Sequence, residues 1–238
     1  MRGSALRGNT LRVSDPVTRR LRNMQDKRRR IFTAAASLFA ERGFANVTTQ
    51  AISDRADVAT GTLFRYAANK GELLLMVYNE EFGRAINDGR ELAARAADPA
   101  AAVRAAVEPV LVVGRLDPHN TVAYQRELLF GPPDAPYRAV GLALVRDLES
   151  SVAALLSAGQ PVTEHRAVAA RRAARSIFAV LHHTLVQPSA GILPEHDPDA
   201  DARGQVAQIV LGFLATVRTA PSEREPDPQG DPDVLQQR

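Results

Sequence analysis

The stretch from Thr48 to Lys70, TTQAISDRADVATGTLFRYAANK, constrains the fold more than any other part of this 238-residue chain. It reads as a short helix, a tight turn, a second short helix and a capped entry into a third. Thr48 supplies the hydroxyl that an N-cap needs, for a helix from Thr49 to Ala56 with Ile52 and Ala56 one turn apart and facing inward. Asp57 falls at the turn, and Asp is among the few residues that tolerate a left-handed backbone. Val58 plugs the corner, and Leu63 anchors the next helix, roughly Thr60 to Tyr66. Asn69 caps another helix that starts near Lys70. A helix-turn-helix of this kind is a device for setting one helix into the major groove of DNA.

The surrounding sequence predicts an all-α protein. Trp is absent, strand-type alternation is scarce, and Ala, Leu, Arg and Glu are abundant. A helix is expected from Met24, with Ile31, Ala35, Leu38 and Phe39 at helical spacing. Gly43 is placed to stop it in a left-handed C-cap, and Phe44 then folds back on the same apolar face. The helix from Lys70 is expected to reach about Ala97, with a bend or close packing at Gly83 and Gly89. Segments near 99–114, 119–130, 134–158, 163–187 and 200–218 are each apolar at helical period and separated by Pro-rich punctuation. Four parts follow: a basic disordered arm (1–23), a helix-turn-helix domain (24–70), a helical-bundle body (71–218) and a disordered acidic tail (219–238).

Charge is distributed unevenly. The net +3 conceals +8 within residues 1–30, where ten Arg and Lys face only Asp15 and Asp26, and −3 within residues 219–238. Only the N-terminal end is equipped to meet a polyanion. No cysteine is present, which removes disulfides, thiolate metal sites and cysteine nucleophiles. No apolar run suits a membrane span or a signal peptide, so a cytoplasmic protein with no membrane partner is expected. No cofactor or metal set and no catalytic group is assembled by any motif.

The stretch GFANVTTQAISDRADVATGTLFRYAANKGELL, Gly43 to Leu74, resembles the DNA-binding domain of TetR-type transcriptional repressors. The likeness lies in a Gly-aromatic pair, a Thr-capped helix, a Gly-Thr-Leu-aromatic recognition helix and a Lys opening the fourth helix. It implies a homodimer, each copy with a DNA-reading head and a helical ligand-binding and dimerisation body. A small-molecule inducer would release a palindromic double-stranded operator. Three departures stand out: Ala59 where Ser or Thr usually caps the recognition helix, Phe64 in place of Tyr, and Ala67 in place of Phe.

Carried over position by position, the resemblance assigns Thr48, Thr60, Gly61, Thr62, Phe64, Arg65, Tyr66 and Lys70 to DNA. Thr48 caps its helix and presents amides and a hydroxyl to a phosphate. Thr60, Thr62 and Arg65 face outward. Arg65 is the candidate base reader, because its fork matches guanine O6 and N7 for roughly 1–3 kcal/mol of discrimination. Gly61 allows close approach to the duplex or accommodates packing. Tyr66 offers a hydroxyl to a phosphate or a ring to stack on a sugar, whereas Phe64 has only its ring. Lys70 is one of two lysines beside 28 arginines, and it stands where the family pattern places a phosphate-binding ammonium.

In the body, Tyr124, Phe130, Tyr137, Phe178 and His182 are the candidate ligand contacts, since aromatics with a polar tip suit small-molecule pockets. Dimerisation is expected on the last two long helices, with Val206, Ile209, Val210, Phe213, Leu214 and Val217 forming one apolar stripe. The competing readings are a small all-α enzyme with a basic extension and a non-specific architectural DNA-binding protein.

Overall fold

The computed structural model describes residues 16–161, 163–187 and 197–219. Among them, helices follow one another without a strand: α1 (Pro16–Arg42), a 3-10 turn (Phe44–Asn46), α2 (Thr49–Arg55), α3 (Thr60–Leu63), α4 (Lys70–Ala93), α5 (Pro99–Leu116), α6 (Pro118–Phe130), α7 (Pro136–Ser157), α8 (Glu164–Val186) and α9 (Pro198–Thr219). The all-α expectation holds.

Three boundaries differ from the sequence reading. The first helix begins at Pro16 and not at Met24. Proline is preset for the first helical position, and the arginine-rich run after it consists of good helix formers. Residues 16–23, expected as part of a disordered arm, are therefore helical. The recognition helix is regular only from Thr60 to Leu63; Arg65 and Tyr66 continue it in tighter bonds to the carbonyls of Thr62 and Leu63. The fourth helix ends at Ala93, short of Ala97, and closes through Arg95 and Ala96 amides bonded three residues back. The remainder of the basic arm, the loop holding Glu195 and His196, and the acidic tail beyond Thr219 lie outside the described residues.

The chain forms two compact units. The first takes α1 to α3, α4 as far as Arg84, and Val113–Leu144. Its core includes Ile31, Ala35, Leu38, Phe39, Ile52 and Leu63, all fully buried. Each large apolar side chain removed from water in this way stabilises by roughly 1.5–3 kcal/mol. Phe44 does fold back, its ring 5.8 Å from that of Phe39. Gly43 has φ +72° with ψ 154°, so the helix stops in an extended mirror-image region open to glycine, not in the left-handed helical cap expected. Asp57 adopts φ +51°, the left-handed turn its position required.

Arg30, one of the basic cluster, secures that turn. It donates to the Ala56 carbonyl at 2.8 Å and to the Asp57 carbonyl, and it pairs with the Asp57 carboxylate at 2.8 Å. In the same unit, Asp117 caps α6 by accepting the Asn120 amide at 3.1 Å. Asn120 then fastens α6 to the head: its side chain donates to the Phe39 carbonyl at 2.9 Å and accepts the Phe44 amide at 2.5 Å. Arg138 of α7 donates to the Leu128 and Leu129 carbonyls at the end of α6. Glu72 of α4 is only 3% exposed, and its Oε1 has no hydrogen-bond partner among the described residues. The buried face of α6 is accordingly rich in polar groups: Asn120, Thr121, Tyr124 and Gln125 accompany Leu128.

The second unit takes Ala85–Val112 and the chain from Val145 onward. Here α8 and α9 pack on each other. Ala170, Ala174, Ile177, Leu181 and Leu185 of α8 are buried, as are Val206, Val210 and Phe213 of the expected α9 stripe; Ile209, Leu214 and Val217 are half-buried. Arg203 of α9 reaches Glu108 of α5 with a two-pronged contact at 2.6 and 3.1 Å. Gly89 is a point of close packing: a Cβ there would collide with the Ala106 carbonyl. Gly83, in the first unit, has only ordinary contact with Leu144, and α4 runs through both glycines unbroken.

Candidate nucleic-acid interface

Thr48 performs its predicted capping, accepting the Ala51 amide at 3.1 Å and lying exposed at the start of α2. At the next cap, Ala59 leaves α3 without any side-chain bond to its first turn. Thr60 does not compensate. Its hydroxyl turns to α2, donating to Gln50 at 3.0 Å and sharing a bond with Ser53 at 3.1 Å. Thr60 thus joins the two helices and does not offer that hydroxyl outward, contrary to the sequence reading. Gly61 decides between its two readings: a Cβ there would meet nothing within 4 Å, so packing within the chain does not require glycine.

Beyond Gly61 the exposed side of α3 carries Phe64, 46% exposed, and Arg65. Leu63 and Ala67 face the core. Tyr66 is not free as expected, because its hydroxyl donates to the Met24 carbonyl of α1 at 3.2 Å. Lys70 is likewise engaged, its ammonium donating to the Phe44 carbonyl at 2.8 Å and lying 4.4 Å above the Phe44 ring. Thr62, Arg65 and Tyr66 form one wall of a groove of about 460 Å³. Arg19, Arg20, Asn23, Met24 and Lys27 of α1 form the other. The sequence reading equipped this basic end to meet a polyanion but singled out none of these α1 residues and did not place Arg19, Arg20 or Asn23 on a helix. The sequence signal was present in Pro16 followed by strong helix formers, but an arginine-rich terminus reads equally well as a solvated arm.

Residues 31–77, which hold the second half of α1, α2, α3 and the start of α4, match the model of bacterial regulatory proteins, tetR family; the α1 residues of the groove precede the match. Residues 31–77 thus form a tetR-type domain. The chain is 31% identical over 111 residues to the HTH-type transcriptional repressor KstR of Rhodococcus jostii, covering 47% of this chain and 51% of that one. It is 40% identical over 60 residues to KstR of Mycobacterium tuberculosis, covering 25% and 27%. The chain thus spans about half or less of the length of these relatives. Among solved structures, a TetR transcriptional regulator from Rhodococcus matches with TM-score 0.60 and 21% identity over 82% of this chain and 99% of that one. Thermus thermophilus FadR, in complex with lauroyl-CoA, matches with TM-score 0.56 and 24% identity over 85% and 100%. These two likenesses extend the tetR-type fold beyond the head.

The five candidate ligand contacts fall in both units. Tyr124, Phe130 and Tyr137 belong to the first, Phe178 and His182 to the second. Tyr124 is core: its ring stacks 5.0 Å from Phe82 and 5.8 Å from Tyr78, and its hydroxyl donates to Asn79 at 3.0 Å. Burial pushes its phenol well above the usual range. Phe130 is 82% exposed at the end of α6 and lines no enclosed space, contrary to expectation. Its position follows from the Gly131-Pro132-Pro133 break, which stops the helix before another turn covers the ring. Tyr137 is half-buried, its carbonyl held by Asn79 at 2.8 Å. Phe178 and His182 stack on successive turns of α8 at 6.2 Å, and burial, with His183 beside it, lowers the imidazole's proton affinity.

Proposed function

We propose that this protein is a ligand-responsive transcriptional repressor, cytoplasmic and not enzymatic, that binds a palindromic operator as a homodimer and is released by a small-molecule inducer. The observation that carries this reading is the outer face of α3 within a tetR-family head. There Gly61 removes bulk where no neighbour requires it, and Arg65 stands exposed beside it. That is how a short recognition helix approaches base edges. The KstR relatives, described as transcriptional repressors, support the direction of regulation.

The α8–α9 pair is the dimerisation element in this reading. A two-helix layer that meets a second copy makes a four-helix bundle, and an isologous dimer presents two heads to an inverted repeat. Leu211 is 64% exposed on α9, where a second copy would cover it. For the inducer, two structural neighbours were solved with fatty acyl-CoA thioesters, stearoyl-CoA and lauroyl-CoA, so that class is the first to test. Selection of duplexes from a random pool tests the reading. An inverted repeat should be enriched, with two chains per duplex, and one class of effector should dissociate the complex. Enrichment of no sequence would favour the architectural reading instead.

A further inference from the structure

We propose that the first three turns of α1 are a second DNA-contacting element, the groove between them and α3 seating a phosphodiester segment of the duplex backbone. This inference rests on the DNA-binding reading above and adds to it a place, a chemistry and a set of residues.

The pairing of the cations carries it. Arg28, Arg29 and Arg30 of α1 each face an acid: Glu80 at 3.9 Å, Asp26 at 2.5 Å and Asp57 at 2.8 Å. Arg55 of α2 pairs with Glu41 at 2.5 Å. A second concavity of about 360 Å³, lined by Arg29, Arg30, Arg55 and Asp57 among others, is thereby neutralised from within. The groove beside α3 is different. Its cations Arg19, Arg20, Lys27 and Arg65 have no acidic partner among the described residues, and no acid lines it. Two neighbouring grooves of one head thus differ in kind, and only the one touching the recognition helix keeps its charge for an external anion.

Geometry agrees with charge. Arg19, Asn23 and Lys27 are four residues apart and so share one helix face, with Arg20 adjoining it. From Arg19 to Lys27 the helix rises about 12 Å at ~1.5 Å per residue, and successive phosphates of one strand advance about 3.4 Å along the duplex, so the row can follow three or four of them. The Tyr66 hydroxyl, bonded to the Met24 carbonyl, ties the two walls together. A helical row held in this way gives up less conformational freedom on binding than a disordered arm would.

The test compares the full chain with its Arg19→Gln/Arg20→Gln/Lys27→Gln variant, and with an Arg28→Gln/Arg29→Gln variant that changes cations already paired. The probes are a duplex selected by the unaltered protein and a random-sequence duplex, titrated by fluorescence anisotropy from about 50 to about 200 mM salt. The groove variant should flatten the salt slope by roughly two to three units per head on both duplexes, at ~0.9 per phosphate lost, with the preference for the selected duplex retained. The control should shift the slope by less than about one unit. The side chains changed in the groove variant, Arg19, Arg20 and Lys27, are exposed and make no described bond, so its helix content by circular dichroism should not change. A groove variant whose slope matches the unaltered protein or the control overturns the groove while leaving the DNA-binding reading intact. Absence of any duplex preference in the unaltered protein overturns both.

Discussion

Lys70 donates to the Phe44 carbonyl at 2.8 Å and rests its ammonium 4.4 Å above the same residue's ring. The amide of Phe44 meanwhile donates to Asn120 at 2.5 Å. One residue of the 3-10 turn is therefore gripped from α4 by a cation and from α6 by an amide side chain. The lysine at the mouth of the fourth helix is part of the head's own structure. An ammonium has three donors, and a further contact at 3.4 Å to the Ala45 carbonyl takes the second, leaving one for a phosphate.

Lys70→Met should accordingly do two things. It should destabilise the head by about 1–3 kcal/mol through the lost charged hydrogen bond and cation–π contact. It should also weaken binding to all DNA sequences alike and lower the salt slope by about one unit. Thermal melts and salt titrations separate the effects. A variant that melts like the unaltered protein would show that the Phe44 contacts contribute nothing.

Asn120→Ala removes a fully buried side chain that serves the Phe39 carbonyl, the Phe44 amide and Asp117. Leaving buried polar groups unpaired costs about 1–3 kcal/mol each, so with two backbone groups orphaned a loss of about 2–6 kcal/mol is expected. Chemical denaturation measures the loss, and faster hydrogen exchange at the Phe44 amide locates it. Unchanged exchange there would mean that α6 is not fastened to the head through this residue.

Gly61→Ala should show opposite signs in two assays. An alanine meets nothing within 4 Å and suits a helix better than glycine, so stability should rise by roughly 0.5–1 kcal/mol. DNA affinity should fall, because the added methyl stands where the duplex must approach. A gain in both would remove Gly61 from the interface.

Glu72 supplies a pH prediction. Burial pushes its carboxyl above the ordinary 4.5, outweighing the amides of Tyr137 and Arg138 that pull the other way. The folded state then holds the proton more tightly than the unfolded chain. Stability should therefore fall as pH rises from 4.5 through the raised folded value, with the full penalty present above it. In Glu72→Gln that slope should vanish, and the variant should gain on the unaltered protein toward neutral pH. Parallel pH–melting curves for the two proteins would contradict this.

The parts legible in the sequence were those set by local chemistry. Thr48 and Asn69 cap because their side chains reach their own helix, Asp57 turns left because few residues can, and Ile31 to Phe39 bury because their spacing makes one face. The parts that were not legible depend on partners distant in the chain. Arg30 looked like one more cation for DNA until the fold brought it to the Ala56 and Asp57 carbonyls. Thr60 was placed outward by helical position and Tyr66 was assigned to the DNA backbone, yet tertiary acceptors on Gln50 and Met24 claim their hydroxyls. Phe130 suited a pocket by composition, but a helix that ends at Gly131 leaves the ring exposed. Asn120 carried no local signal at all, since an asparagine one turn into a helix is unremarkable until its distant neighbours are known.

The central claim is that Arg65 on α3 reads a base, and the most direct measurement is the affinity of Arg65→Ala for the selected duplex, a series of its single-base-pair variants and random DNA. The account predicts that discrimination disappears at one position in each half-site, a loss of about 1–3 kcal/mol there, while the other positions keep theirs. An equal loss of affinity on the selected and the random duplex would reduce Arg65 to a phosphate contact and contradict the account.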